Sequence, residues 1–267
     1  LGVPADVLDP AGLAVLDPGA TMDVAGGVHY PLDCHLSPAR FMAHLQARLE
    51  AAGATFRWRT DVAGWQTEDG PAGRGRVAAA RTTAGDEIEA DAFVLAAGSW
   101  SAAAGRSLKL RIPLQAGKGY SLTLAEPRQR PQLCSILTEA RVAVTPMGEA
   151  VRFGGTMEVA GLDESISRRR VRGIVRSVPD YYPAFREADF DGVPPWQGLR
   201  PVSPDGLPYL GRTGRWANLV VATGHAMMGL SLGPATGKLV ARLVSGEGAE
   251  AELPGQDLSI LSPDRYA

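Results

Sequence analysis

Arg200 stands between Leu199 and Pro201, just ahead of a Pro204-Asp205-Gly206 turn, so its guanidinium is carried on a stiff, proline-bounded segment. Such a fork either pairs with the neighbouring Asp205 to hold the turn or receives a carboxylate from a ligand. Both remain open at this point. Downstream, Leu219-Val220-Val221-Ala222 is the unbroken apolar run that a strand covered on both faces needs, and Thr223-Gly224-His225 interrupts it before a helix-compatible stretch. The pattern is strand, tight turn, helix. Gly224 and Gly229 remove side chains where a flat ligand would approach the backbone. The first helical turn, expected to begin near Ala226, presents unpaired N–H groups and a positive dipole end to an electron-rich acceptor.

Other matches to chemical motifs fail on their surroundings. Gly73-Arg74-Gly75-Arg76-Val77-Ala78 has the letters of a dinucleotide fingerprint but follows Asp69-Gly70-Pro71 rather than an apolar strand, so a hairpin turn is expected there. Gly229-Leu230-Ser231-Leu232-Gly233 has the letters of a hydrolase elbow. That chemistry needs its histidine after the serine, whereas His29, His35, His44 and His225 all precede Ser231. His29, Cys34 and His35 lack a fourth ligand at recognisable spacing, so no metal is expected. His44 falls off the apolar face of its helix and is assigned to the surface.

The elements that must position these residues belong to an ordinary globular chain. Its 267 residues are 45% hydrophobic and 21% charged, enough for one large or two medium domains. A net charge of -2 and a pI near 6.1 argue against nucleic acid as a partner. The cluster Arg168, Arg169, Arg170 and Arg172 is then expected to form a solvated helix face. Two cysteines, Cys34 and Cys134, argue against a disulfide scaffold, and a reducing compartment is the default. No apolar run approaches the roughly 20 residues of a membrane helix, and no signal-peptide pattern is present. The expectation is a soluble or at most peripheral protein. The start at Leu1 is what a fragment or processed product would show.

Along the chain, residues 1–36 alternate turn formers with short apolar pieces and lead to a strand at Val28-His29-Tyr30. Ser37-Pro38 starts a helix with Phe41, Leu45 and Leu49 on one face, stopped by Gly53. Strands are expected at 55–59, 76–83 and 87–96, the last becoming wholly apolar at 92–97 as a doubly covered central strand does. Alternating segments at 120–124, 141–145 and 151–153, with a turn at Pro146-Met147-Gly148, predict an antiparallel sheet in a second domain. A helix is expected over 163–178, burying Ile166, Val171, Ile174, Val175 and Val178 and ending at Pro179.

The paired stretches Gly198-Leu199-Arg200-Pro201 with Asp205-Gly206-Leu207-Pro208-Tyr209-Leu210-Gly211-Arg212, and Asn218 through Gly237, closely resemble the C-terminal signature of the flavin-dependent D-amino acid dehydrogenases and oxidases, a group that includes glycine and sarcosine oxidases. Gly117-Lys118-Gly119-Tyr120-Ser121-Leu122 is most similar to the dehydrogenase branch, although Gln115-Ala116 lengthens this segment. Val94-Leu95-Ala96-Ala97-Gly98-Ser99-Trp100-Ser101 resembles a flavin-contacting strand end. The family's N-terminal G-x-G-x-x-G unit has no counterpart in this chain.

The resemblance implies an α/β (α+β) fold: an incomplete doubly wound FAD-binding domain from residues 1–112 and 196–267, with an antiparallel-sheet substrate domain at 113–195 inserted. It implies FAD as cofactor and a D-amino acid as the small-molecule substrate. Hydride passes from the substrate's α-carbon to flavin N5, leaving an imino acid that water hydrolyses to a 2-oxo acid and ammonia. By the same resemblance Arg200 anchors the substrate carboxylate, and Tyr120 and His225 lie close to the flavin. Val62, Ala97, Gly98, Trp100, Gly224, Gly229, Leu230 and Ser231 contact the cofactor, Val62 through its backbone at the adenine. A separate general base is not required if the amine binds neutral. The acceptor is a quinone or another oxidant, and the location cytoplasmic or peripheral at the inner face of the plasma membrane. Two alternatives stay open: an oxygen-using oxidase of glycine or sarcosine, and a non-catalytic binding fragment without FAD.

Overall fold

The computed structural model describes residues 2–247 and 255–267. Leu1 and residues 248–254, the latter part of the expected 196–267 segment, lie outside the described residues. In chain order the first half contains β1 (Asp6–Leu8), α1 (Pro10–Leu16), β2 (Gly27–His29), α2 (Pro38–Ala51), β3 (Val62–Glu68), β4 (Arg76–Thr82), β5 (Glu87–Glu89), β6 (Phe93–Leu95) and α3 (Ser101–Ala104). The second half contains β7 (Gln115–Leu124), β8 (Ser135–Leu137), β9 (Val142–Met147), β10 (Ala150–Val159), α4 (Arg168–Tyr181), β11 (Trp196–Val202), β12 (Tyr209–Arg212), β13 (Leu219–Thr223) and α5 (Gly229–Ser245). The chain forms two compact units, each assembled from three separate segments.

The first unit comprises Leu1–Phe56, Lys118–Glu158 and Glu164–Gly198. Its sheet runs in the order β11-β7-β10-β9-β8, and β9 and β10 form the expected hairpin, with Gly148 at φ 72 in the turn. Alternation decides the core: Tyr120, Leu122, Val142, Val144, Val151 and Phe153 point to one face and are buried against Ile174 and Val178 of α4. Phe153 meets Phe185 and Phe190 edge to face, each at 5.3 Å between ring centroids.

Helix α4 departs from expectation at both ends. Residues 163–166 stay extended because Lys118 Nζ donates to the Ser165 carbonyl at 2.8 Å and the Ser167 N–H donates to the Tyr120 hydroxyl at 3.3 Å. The helix therefore starts at Arg168, capped by Ser167, and Ile166 is left outside it and exposed. At the other end it runs through Pro179, because the next turn is closed by Tyr182 N–H on the Val178 carbonyl at 2.9 Å and fixed by the buried Tyr182 ring.

Residues 1–56 group with this sheet rather than with 57–112, which differs from the division expected from sequence. The reason is a set of long-range bonds: Asp17 accepts the N–H groups of Gln132 and Leu133, Gly19 accepts that of Arg130, and Tyr181 accepts that of Asp23. Ser37 precedes α2 as expected but makes no side-chain cap, and no residue of α2 is buried.

The second unit comprises Arg57–Gly117, Val159–Asp163 and Leu199–Ala267. It contains an antiparallel β3-β4-β5 sheet and a second sheet in the order β12-β13-β6, in which β13 and β6 are parallel with Leu219 opposite Phe93. The two apolar segments at 92–97 and 219–222 thus share one sheet. Gly73 closes the β3-β4 hairpin with φ 75, so the fingerprint-like letters form a turn. Buried Asn218 stitches the unit together: its amide donates to the Val77 and Asp91 carbonyls at 2.9 and 3.2 Å and accepts the Val77 N–H at 2.9 Å.

Three expectations fail here. Residues 55–59 form no strand; Arg59 has φ 54, and the strand begins instead at Val62, where β4 offers a pairing partner. The predicted strand 87–96 is divided into β5 and β6. Strand β6 is not doubly covered: Phe93 and Leu95 are buried but Val94 is 42% exposed, and β13 is the only neighbour of β6 in its sheet. Among the described residues no helix is long and apolar enough to cross a membrane.

Candidate active site

Because β6 and β13 run parallel, their carboxyl ends lie at one edge of the sheet, the position where open α/β sheets bind ligands. Ala97 and Gly98 follow β6, and Gly224 and His225 follow β13. Two hydroxyls lash these loops together. Thr223 Oγ1 donates to the Gly98 carbonyl at 3.1 Å and accepts from Ser101 Oγ at 2.9 Å. Strand β11 joins them: Val202 bridges to His225, the Ala226 N–H donates to the Pro201 carbonyl at 3.0 Å, and Ser99 Oγ donates to the Leu199 carbonyl at 3.2 Å. The backbone on either side of Arg200 is thereby clamped to both loops.

The Arg200 side chain answers the question left open by sequence. Asp205 does not pair with it, because Arg265 holds that carboxylate through Nε at 2.8 Å and Nη2 at 3.0 Å. Arg265 also stacks on the Tyr209 ring at 3.8 Å, and it keeps the Asp205 carboxyl far below the usual carboxylate range. Arg200 Nη1 is buried with no hydrogen-bond partner. Burial pushes the guanidinium's pKa down from its ordinary value, yet arginine stays a cation at any physiological pH. A buried guanidinium nitrogen without an acceptor costs free energy, which a ligand carboxylate would remove.

His225 is half-buried and exchanges a hydrogen bond with Thr236 Oγ1 through Nε2 at 2.9 Å. Burial lowers its pKa, so the neutral ring prevails at pH 7. Helix α5 begins at Gly229 rather than near Ala226, since Ala226 takes φ 48 and the Met228 N–H turns back to the His225 carbonyl at 2.9 Å. No side chain caps the helix, and Gly229, Leu230 and Ser231 in its first turn are exposed.

The glycines divide by role. Gly98 has φ 55 and nothing within 4 Å of where a Cβ would stand, an open cradle beside the backbone. At Gly224, φ 83, a Cβ would come within 3.1 Å of Tyr209 Cδ2, so that position is required by turn and packing. Trp100 closes the short turn after β6 and is 47% exposed, and Val62 opens β3 opposite Thr82 and is exposed. Tyr120 belongs to the other unit. It is 1% exposed, and its hydroxyl donates to Glu158 Oε2 at 2.5 Å while accepting the Ser167 N–H.

The sequence placed Thr223 and Ser101 inside its motif stretches without giving either hydroxyl a role, and it did not point to Arg265; their partners are distant in the chain. The open Gly98 cradle, the uncapped start of α5 and the apolar flank of Leu230 fit a flat, electron-rich ring system such as a flavin. Arg200, whose Nη1 has no hydrogen-bond partner, is carried on the strand clamped to the same two loops.

The sequence profile of the family described as FAD dependent oxidoreductase (DAO) matches residues 1–243. The chain belongs to that family, an enzyme family whose cofactor is FAD. It is 38% identical over 271 residues to a D-amino acid dehydrogenase of Methylobacterium radiotolerans, covering 100% of this chain and 62% of the relative. A D-amino acid dehydrogenase of Agrobacterium fabrum is 35% identical over 271 residues at the same coverage, 100% and 62%. The chain thus spans about 62% of the length of these relatives. Among solved structures it resembles a glycine oxidase from Geobacillus kaustophilus, with a TM-score of 0.81 and 26% identity over 100% of this chain and 68% of that one.

Proposed function

We propose that the protein oxidises D-amino acids to 2-oxo acids and ammonia, with Arg200 as the anchor of the substrate carboxylate. The observation that carries this reading is the buried, unpartnered Arg200 Nη1, in a segment whose own carboxylate, Asp205, is taken by Arg265. Bound FAD supplies a two-electron acceptor for the hydride leaving the substrate α-carbon. The chain's own residues bind and orient. Arg200 receives the carboxylate in a forked pair, and the clamps at Leu199 and Pro201 fix the direction of that fork. Ala97, Gly98, Trp100, Gly224, His225, Gly229, Leu230 and Ser231 would hold the cofactor around the sheet edge, with Val62 toward its adenine. The uncapped N–H groups of α5 would favour an electron-rich or anionic part of the cofactor placed at the helix start. His225 stays neutral at Nε2 and adds no competing charge.

Dehydrogenation rather than oxygen-coupled oxidation is favoured by the names of the relatives at 33 to 38% identity, so the acceptor we propose is a quinone or similar oxidant. We place the reaction in the cytoplasm or at the inner face of the plasma membrane, to be checked by cell fractionation. The test uses the full-length, flavin-loaded enzyme. Dye reduction with a D-amino acid is expected, together with a stoichiometric 2-oxo acid. Arg200→Ala is expected to remove a charge-assisted pair worth roughly 2 to 5 kcal/mol, lowering kcat/KM at least about thirtyfold. Arg200→Lys recovers part of the loss, since an ammonium lacks the fork. An unchanged kcat/KM in folded, flavin-bearing Arg200→Ala would overturn the assignment, and oxygen consumption equal to dye reduction would move it to the oxidase class. Absence of flavin absorbance in the pure protein would identify a binding fragment.

A further inference from the structure

Helix α4 carries Arg168, Arg169, Arg170, Arg172 and Arg176, and its first turn contains no acidic residue. Helix physics disfavours that arrangement twice. Cations at an N-terminus oppose the dipole, and like charges spaced i, i+4 repel, each by a few tenths of a kcal/mol or more. Ion pairing offsets little of it: Arg176 pairs with Glu187 at 3.9 Å, and among the described residues Arg168, Arg169, Arg170 and Arg172 form no ion pair. Local rules broken in this way are characteristic of functional or strained positions.

The surface there is also concave. A hollow of about 370 Å³ is lined only by Arg168, Arg169, Arg172, Gly173 and Arg176, with no carboxylate in its wall and open space above Gly173. Beside it, sharing Arg168 and Arg172, runs a groove of about 420 Å³ whose walls are Leu122, Ile166, Val171, Val175, Phe190 and Val193. Glu187 and Asp191 stand in the lining of this second groove. That volume lies in the range of small-molecule sites, about 300 to 1,000 Å³.

We propose that this pair of hollows is a binding site for a small, soluble amphiphile with a phosphate head and an apolar tail. The arginine hollow takes the dianionic head, which guanidinium forks match in geometry and charge. The neighbouring groove takes the tail. Glu187 and Asp191 keep the anionic end at the α4 side, and the same two carboxylates disfavour a negatively charged bilayer or an acidic protein laid across the whole face. The site lies wholly within the sheet unit and stands independently of the oxidation chemistry proposed for the other one.

Isothermal titration of the full, flavin-loaded chain with octyl phosphate, below its aggregation concentration, tests the site. Saturable one-to-one binding is expected, weakening as salt rises. Inorganic phosphate and octanol are each expected to bind at least about tenfold more weakly. Arg168→Gln combined with Arg172→Gln should weaken octyl phosphate by about tenfold or more, and the Lys pair should recover part of that, because charge returns without the fork. Ile166→Ser should weaken octyl phosphate while leaving inorganic phosphate unchanged. The substituted side chains are exposed, so the melting temperature should hold, and the Lys pair serves if the Gln pair fails to fold. Equal affinity in the Gln and Lys pairs and in the unaltered protein overturns the proposal. So does octyl phosphate binding no tighter than inorganic phosphate. Arginine-dependent binding confined to phosphatidylglycerol vesicles, or to a polyglutamate peptide, would replace it with a bilayer or an acidic protein surface.

Discussion

Arg200 and Asp205 were adjacent candidates for one ion pair, and the residue that separated them lies far along the chain. Arg265 satisfies Asp205 through both oxygens, a pairing no local pattern announces, and Arg200 Nη1 is left buried without a hydrogen-bond partner. Asp205→Asn should therefore lower the melting temperature with little effect on kcat/KM, the reverse of Arg200→Ala. The Asp205 carboxyl is depressed by Arg265, so its stabilising contribution is complete above the unfolded carboxylate range, near pH 4, and is lost on acidification below it. His225 gives a second, milder acid sensitivity. Burial lowers its folded pKa below the unfolded value near 6.5, so the unfolded chain binds the proton more readily and stability falls as pH drops from about 6.5 through the folded pKa. Melting curves from pH 7.5 to 5 should show a steeper decline for the native sequence than for His225→Gln. Arg200 and His225 were legible because proline, glycine and an apolar run mark their neighbourhoods. The pairing of Arg265, and the bonds that Thr223 and Ser101 make, were not, because they exist only through contacts of high sequence separation.

The strand, turn and helix from β13 to α5 were readable from an apolar run broken by glycine, whereas 55–59 imitated a strand. Thr55-Phe56-Arg57-Trp58-Arg59 alternates as well as any element here, but alternation records a half-buried face and supplies no pairing partner. Val62–Glu68 has β4 alongside and becomes the strand instead. Helix α4 ran past Pro179 for a related reason: tertiary burial of Tyr182 outweighed a local stop signal. The turns at the sheet edge carry a prediction of their own. Gly98→Ala and Gly224→Ala both force a side chain into the left-handed region, at about 1 to 2 kcal/mol each. At Gly224 the added Cβ also presses on Tyr209, so its melting temperature should fall further. At Gly98 the Cβ enters open space beside the sheet edge, so flavin retention should fall more than stability. Equal effects of the two substitutions on both readouts would remove Gly98 from the proposed cradle.

At the scale of the molecule the broad class was legible, since long alternating and apolar segments report their sheets, but the division of the chain was not. The placement of residues 1–56 depends on Asp17, Gly19 and Asp23 bonding to backbone groups more than a hundred residues away. Those bonds have no composition signal. What those residues do after docking has a measurable consequence. Helix α2 presents Phe41, Met42, Leu45 and Leu49 to solvent, and the β1–β2 ribbon adds Val7 and Val28; all six are exposed. In unit two, Val94 of β6 is likewise uncovered. An amphipathic helix draws most of its stability from burying its apolar stripe, at roughly 25 cal/mol per Å². A chain that leaves such a stripe and a sheet edge in water gains free energy by covering them with a second copy. The 267-residue chain on its own is therefore expected to self-associate, with light-scattering mass rising with concentration and a broad thermal transition. Replacing Phe41 and Leu45 by serine, which costs little where both are already exposed, should reduce the association. A monodisperse monomer with a sharp cooperative transition, unchanged by those substitutions, would show that the exposed stripe is tolerated as it stands.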